Sequence, residues 1–211
     1  MKEIYLLSGL GADKRVFDFL DLKEYKLNHI EWINPSNNEP IENYAQRLLK
    51  QITTDNPILI GVSFGGMMAI EIGKLIHTEK IVLISSAKTK SDIPFYFKII
   101  GNLGITKLIP GELIKKANDV TFWFFGVDNE KNKDLLRSIM KDMNSDLLKW
   151  ALEKIMKWKN VTLLKNVTLI HGNVDRIFPH KTLDFKIDGG GHMMIVNKAD
   201  QVSNRIRKVI G

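Results

Sequence analysis

Three short stretches of this chain carry residue types that together could break an acyl bond. The first is Gly61-Val62-Ser63-Phe64-Gly65-Gly66, which follows the apolar run Pro57-Ile58-Leu59-Ile60 and precedes the helix-compatible segment from Met67 to Ile76. A serine between strand and helix is lifted clear of a sheet only if the chain turns sharply, with the serine near φ > 0. Side chains two positions either side would collide in such a turn, and Gly61 and Gly65 are the residues that fit. The helix behind the serine points its N-terminus at it, which favours negative charge where an alkoxide or oxyanion develops.

A serine hydroxyl is a poor nucleophile at neutral pH and needs a base within reach, itself oriented by an acid. The chain has five histidines. His29 opens a predicted strand near the amino end of the sheet, and His77 lies at the far end of the helix after Ser63. His171 ends a strand and is suited to ordering the loop that follows; His180 follows Pro179 in a loop. His192 sits in Gly189-Gly190-Gly191-His192-Met193-Met194, between the last strand and the last helix, where glycines free the backbone to swing a histidine towards the serine. The acid belongs on the loop after the preceding strand, and His171-Gly172-Asn173-Val174-Asp175-Arg176 supplies Asp175. An imidazole must be neutral to accept the proton, so activity is expected to fall towards acid pH.

These side chains need a rigid frame. Short apolar runs alternate with helical periods, the pattern of a parallel sheet built from βα units. The predicted strands are Ile4–Ser8, His29–Ile33, Pro57–Val62, Lys80–Ser85, Val167–His171 and Leu183–Ile187. Ile41, Tyr44, Ala45, Leu48, Leu49 and Ile52 form a helical apolar stripe opened by Pro40, and Ala199, Val202, Ile206, Val209 and Ile210 form another. The alternation breaks between Lys88 and Lys165, where helices are predicted over Phe95–Leu103, Gly111–Phe125, Asn132–Met143 and Ser145–Trp158. An insertion of that length exceeds a crossover. It is expected to be a helical cap, residues 88–165, over a core of residues 1–87 and 166–211. Its aromatics (Phe95, Tyr96, Phe97 and Phe122 to Phe125) could line an apolar pocket, or pack as cap core.

With these motifs placed, the sequence resembles the α/β-hydrolase superfamily, among its small, capped, esterase-like members. The resemblance rests on the Ser63 motif, on the stretch from His171 to Pro179 and on Gly190-Gly191-His192; Asn197 to Val202 also resembles the segment opening that family's final helix. The chain order Ser63, Asp175, His192 is the order of that fold. The resemblance implies an α/β fold with a mostly parallel sheet of about six strands flanked by helices. It implies Ser63 as nucleophile, His192 as general base and then acid, and Asp175 as its orienting partner. An oxyanion hole would use the backbone N–H of Phe64 and, from the loop after the first strand, that of Leu10. Ser8 stands where a histidine commonly supports that loop, and the two antiparallel strands that normally precede the first strand here are absent. Asp13 is expected to cap a helix over Lys14–Leu20.

Composition narrows the partners. At 44% hydrophobic and 26% charged, the 211 residues suit a globular domain, and no apolar run reaches the roughly 20 residues of a membrane helix. The first residues continue as a strand and do not form a signal peptide, and there is no cysteine, so the protein is expected to be cytoplasmic, without disulfides or a thiolate metal site. Residues 88–165 hold 15 Lys and Arg against 9 Asp and Glu, whereas the rest is nearly balanced at 16 against 15. That charge is either a solvated helical face or a basic rim that draws anionic substrates. No metal, cofactor or nucleic-acid motif is present. The expected activity is hydrolysis of a small-molecule carboxylic ester or thioester. The alternatives are a carbon–carbon bond hydrolase or perhydrolase using the same residues, and a non-catalytic relative that binds a ligand or partner through the cap.

Overall fold

A computed structural model describes residues 1–10, 12–103, 115–180 and 183–211. Its sheet has six parallel strands: β1 (Glu3–Leu7), β2 (Lys26–His29), β3 (Ile58–Val62), β4 (Lys80–Ile84), β5 (Val167–Gly172) and β6 (Phe185–Ile187), in the order β2-β1-β3-β4-β5-β6. Alternation along each strand sends successive side chains to opposite faces. Ile4, Leu6, Ile58, Ile60, Val82 and Ile84 enter one buried cluster, and Tyr5, Leu7, Leu59, Ile81 and Leu83 enter the other. Covered on both faces, β3 is a continuous apolar run, buried at every position.

Helix α1 (Ile41–Leu48) and helix α2 (Phe64–Gly73) pack on the face of Tyr5 and Leu7. The last helix contributes Val202, Ile206 and Ile210 to the other face. Between β4 and β5 lie α3 (Phe95–Asn102), α4 (Asp119–Phe125), α5 (Glu130–Asp142) and α6 (Ser145–Met156). The last three begin at asparagines, Asn118, Asn129 and Asn144, whose side chains accept from backbone N–H groups of the first turn. Gly126, at φ 67°, closes α4 in the left-handed conformation. Two indoles tie α6 and the segment after it to the α1–α2 layer: Trp150 Nε1 donates to the Glu39 carbonyl just before α1 at 2.9 Å, and Trp158 Nε1 to Glu71 Oε1 of α2 at 2.8 Å. After β6 come α7 (Met194–Asn197) and α8 (Ala199–Ile210).

Several elements differ from the sequence expectation. The second strand is Lys26–His29, not His29–Ile33, so His29 closes a strand beside Leu6 instead of opening one. The Ile30 N–H still bonds Leu6 O at 2.9 Å, and the chain then leaves the sheet: the Tyr44 hydroxyl bonds both the N–H and the C=O of Ile33, at 3.1 and 2.7 Å. β6 starts at Phe185 because the Asp184 carboxylate, not a backbone carbonyl, takes the Leu169 N–H at 2.7 Å. The stripe begun at Ile41 tightens after Leu48 into a 3₁₀ turn over Leu49–Gln51. Asp13 does cap, accepting from the Arg15 N–H at 2.9 Å, but the element is a single 3₁₀ turn, Lys14–Val16. The helix expected over Gly111–Phe125 begins only at Asp119, after the Asn118 cap; residues 115–118 are not helical, and residues 111–114 lie outside the described residues.

Candidate active site

Parallel register brings the carboxyl ends of β1, β3, β4, β5 and β6 to one edge, and every element of the site leaves from it. Ser63 follows β3 directly, at φ 52° and ψ −119°. Two close approaches make the turn possible. A Cβ on Gly61 would lie 2.4 Å from the Gly65 carbonyl oxygen, and one on Gly65 would lie 2.2 Å from that of Leu7 and 2.3 Å from that of Ser8. The neighbouring strand β4 and the residues just after it hold the strained backbone: the Ser63 N–H donates to Ile84 O at 2.9 Å, and the Ser86 hydroxyl donates to Ser63 O at 2.6 Å. Gly65→Ala therefore must push the loop after β1 away from Ser63. We expect at least a tenfold slower reaction of Ser63 with a fluorophosphonate together with a lowered melting temperature; a wild-type labelling rate would contradict it.

His192 Nε2 lies 2.9 Å from Ser63 Oγ, and His192 Nδ1 lies 2.9 Å from Asp175 Oδ2. The three residues predicted from separate motifs are thus brought into one hydrogen-bonded relay. The loop of His192 works differently from the sequence expectation: of its three glycines only Gly189 has positive φ. The other two allow close contact, Gly190 against Gly172 of β5 and Gly191 against Gly126 at the end of α4. The Met193 N–H donates to Phe125 O at 3.0 Å, and the His192 ring meets Phe125 and Phe178 at centroid distances of 5.5 and 5.7 Å.

Asp175 is buried, and all its acceptor positions face donors. Oδ1 accepts from the N–H groups of Ile177 and Phe178 at 2.8 and 3.0 Å. Burial alone would raise its pKa; attraction to His192 and hydrogen bonds from His171 and His192 outweigh it and hold the carboxyl well below the usual range. Among the other histidines, His29 packs on the Phe17 ring at 5.8 Å and His77 is exposed. His180 sits behind the site, its Nε2 donating to Ser86 O at 2.9 Å, and burial lowers its pKa.

Leu10 and Phe64 flank Ser63. Phe64 is the first residue of α2, so its N–H has no acceptor within the helix. The loop of Leu10 touches the serine: a Cβ on Gly9 would lie 3.4 Å from Ser63 Cβ. Ser8, where a histidine was the expected support, fixes this loop through its hydroxyl, which donates to Ala12 O at 2.6 Å and accepts from Trp32 Nε1 at 2.9 Å. The sequence did not single out Trp32. A tryptophan just past a strand beside the loop was the available signal, and the misplaced second strand hid it.

Above Ser63 and His192 opens a cavity of about 470 Å³. Its walls come from α3 to α6 and from the loops after the strands, including Leu148, Leu152, Ile155 and Met156 of one α6 face. The aromatics divide: Tyr96, Phe97, Phe124 and Phe125 line the cavity, Phe122 is buried in the core, and Phe95 and Trp123 are exposed. Among the described residues the lining includes no Asp, Glu, Lys or Arg. Several basic residues of this segment are instead paired outside it, as in Lys133–Glu130, Arg137–Asp134 and Lys88–Asp184.

The sequence matches no protein-family model and no curated protein. Solved structures do match. A thermophilic esterase from Thermogutta terrifontis superposes with a TM-score of 0.73 at 14% identity, covering 100% of this chain and 89% of that one. The esterase EaEST from Exiguobacterium antarcticum gives 0.72 at 16% identity, with 100% and 92% covered. A bromoperoxidase from Bacillus anthracis gives 0.63 at 18% identity, with 99% and 91% covered. The chain has the α/β-hydrolase fold.

Proposed function

We propose that this α/β-hydrolase-fold protein is a serine hydrolase of carboxylic esters or thioesters. The observation that carries the reading is the unbroken relay from Ser63 Oγ through His192 to Asp175 at the floor of an apolar cavity. In this reading Ser63 Oγ attacks the carbonyl carbon while its proton passes to His192 Nε2. Negative charge collects on the carbonyl oxygen, facing the Phe64 and Leu10 N–H groups at the α2 N-terminus. The tetrahedral adduct collapses as His192 hands its proton to the departing alcohol or thiol. Water, deprotonated by the same imidazole, then attacks the acyl-serine; the acid is released and Ser63 regains its proton. Asp175 stays ionised throughout, fixes the Nδ1–H tautomer and stabilises the imidazolium.

Residues 88–165 act as the cap that keeps the reacting ester in an apolar chamber, where electrostatic stabilisation is stronger than in water. The apolar lining makes the preferred substrate a neutral ester with apolar groups near the scissile bond; among the described residues it holds no cation to meet a carboxylate or phosphate. We expect kcat/KM for matched neutral and anionic p-nitrophenyl esters to favour the neutral one, with little change between low and high salt. A preference for the anionic ester that fades with salt would restore the basic-rim expectation. Filling the chamber with Leu152→Trp is expected to cut kcat/KM for an octanoyl ester at least tenfold more than for acetyl, since each displaced methylene is worth about 1–3 kcal/mol.

The proposal is tested by labelling with a fluorophosphonate, which needs an activated serine and no knowledge of the substrate. Stoichiometric labelling at Ser63 is expected. An unreactive wild-type protein would leave the binding-protein reading standing.

A further inference from the structure

The mechanism leaves one buried imidazole unused. His171, on β5, is fully buried, and its Nε2 lies 2.7 Å from the Phe178 carbonyl oxygen and 3.2 Å from Asp175 Oδ2. Both oxygens only accept, so the proton on this ring sits on Nε2 and is shared between them. Nδ1 has no partner among the described residues. The His180 ring stacks edge-on against His171 at 4.4 Å. From His180 contacts run through the Ser86 carbonyl and hydroxyl back to the Ser63 carbonyl. Asp175 therefore stands between two imidazoles, and its carboxylate has four donors: Ile177 and Phe178 on Oδ1, His192 and His171 on Oδ2.

We propose that His171 is a positioning residue for the acid of this site, its Nε2–H sharing the oxygen that accepts from His192. The inference rests on the acyl-transfer reading above. Two consequences follow from the geometry. With Oδ1 pinned by the backbone and Oδ2 by His171, the carboxylate keeps its direction while His192 gains and loses a proton in each half-reaction. The second donor also draws off part of the charge on Oδ2, so His192 meets a softened anion and releases its proton to the leaving group readily. Without the donor the full charge falls on His192 and favours imidazolium. The titratable groups around this cluster are His192, His180 with Asp92 at 3.9 Å behind it, and Tyr96, whose hydroxyl is held up first by burial and then by the charge of Asp175.

The test compares His171→Leu, which has no donor, with His171→Gln, whose amide N–H reaches about as far as Nε2. For a p-nitrophenyl ester we expect His171→Leu to lower kcat about tenfold with KM unchanged, and to move the acid limb of kcat/KM to higher pH by about one unit. His171→Gln is expected to recover most of both. A folded Leu variant with the wild-type acid limb, or a Gln variant no closer to wild type than Leu, overturns the proposal. Should His171→Leu fail to fold, ¹⁵N NMR of the wild-type imidazoles decides: a protonated Nε2 on His171 whose shift moves in Asp175→Asn supports it, and an Nδ1–H tautomer overturns it. Failure of the acyl-transfer reading is seen separately, as a wild-type protein that does not react with fluorophosphonate.

Discussion

Ser63→Ala is expected to abolish fluorophosphonate labelling and to lower ester hydrolysis by at least about 10⁴-fold, equivalent to about 5.5 kcal/mol of transition-state stabilisation. The argument is one of access to a base. Other serines surround the same turn, but the Ser8 and Ser86 hydroxyls are spent on the carbonyls of Ala12 and Ser63, and Ser85 is fully buried. Among these serines, Ser63 is the one whose Oγ bonds an imidazole and that lines the cavity. The oxygen lost has no part in the sheet or in the turn contacts that hold the backbone at φ 52°, so the melting temperature is expected to stay within a few degrees of wild type. Labelling that survives in Ser63→Ala would refute the assignment.

Changes at His192 and Asp175 are expected to be nearly as large. His192→Ala removes the imidazole bonded to Ser63 Oγ, the proposed acceptor of its proton, and is expected to cost about 10⁴-fold or more in kcat. His180→Ala should cost far less, because His180 meets Ser86 and not the Ser63 hydroxyl. The reverse ranking would show the base misplaced. Asp175→Asn is expected to cost a similar factor by presenting the wrong group to His192 Nδ1. It also has a stability signature. Because the Asp175 pKa is depressed in the folded protein, its contribution to folding is complete above the ordinary carboxylate range and is lost only as pH falls through the lower folded value. Asp175→Asn is therefore expected to be less stable than wild type at neutral pH, with the gap narrowing below about pH 4. A gap that widens towards acid pH would show that the carboxylate is not held ionised by its neighbours.

Much of the site was legible one motif at a time, because each motif answers a local constraint. Gly61 and Gly65 follow from what a serine turn tolerates within two residues. Asp175 and His192 follow from loops after apolar strands whose β-character is local. The misread second strand shows where that logic stops: Trp32 and Ile33 read as strand because they are apolar, yet they have left the sheet and sit half-buried, Ile33 on Tyr44 of α1 and Trp32 on Ser8 of the loop after β1. A period-2 pattern records that a residue is covered, not by what.

The sequence by itself determined the tight serine turn after β3, the chain order of Ser63, Asp175 and His192 and the run of helices between β4 and β5, since all three depend on near neighbours. Only the tertiary structure decided which residues support them. Ser8 takes the expected histidine's place through Trp32, 24 residues away, and Gly172 and Gly126 make room for the His192 loop. His171 reaches the acid only because the turn after β5 folds back on the strand's end. The direction in which the cavity faces, with an uncharged lining among the described residues and Lys133, Arg137 and Lys88 paired outside it, was likewise undetermined: a count of charges along a segment carries no information about which side of a helix faces the cavity until the helices are packed.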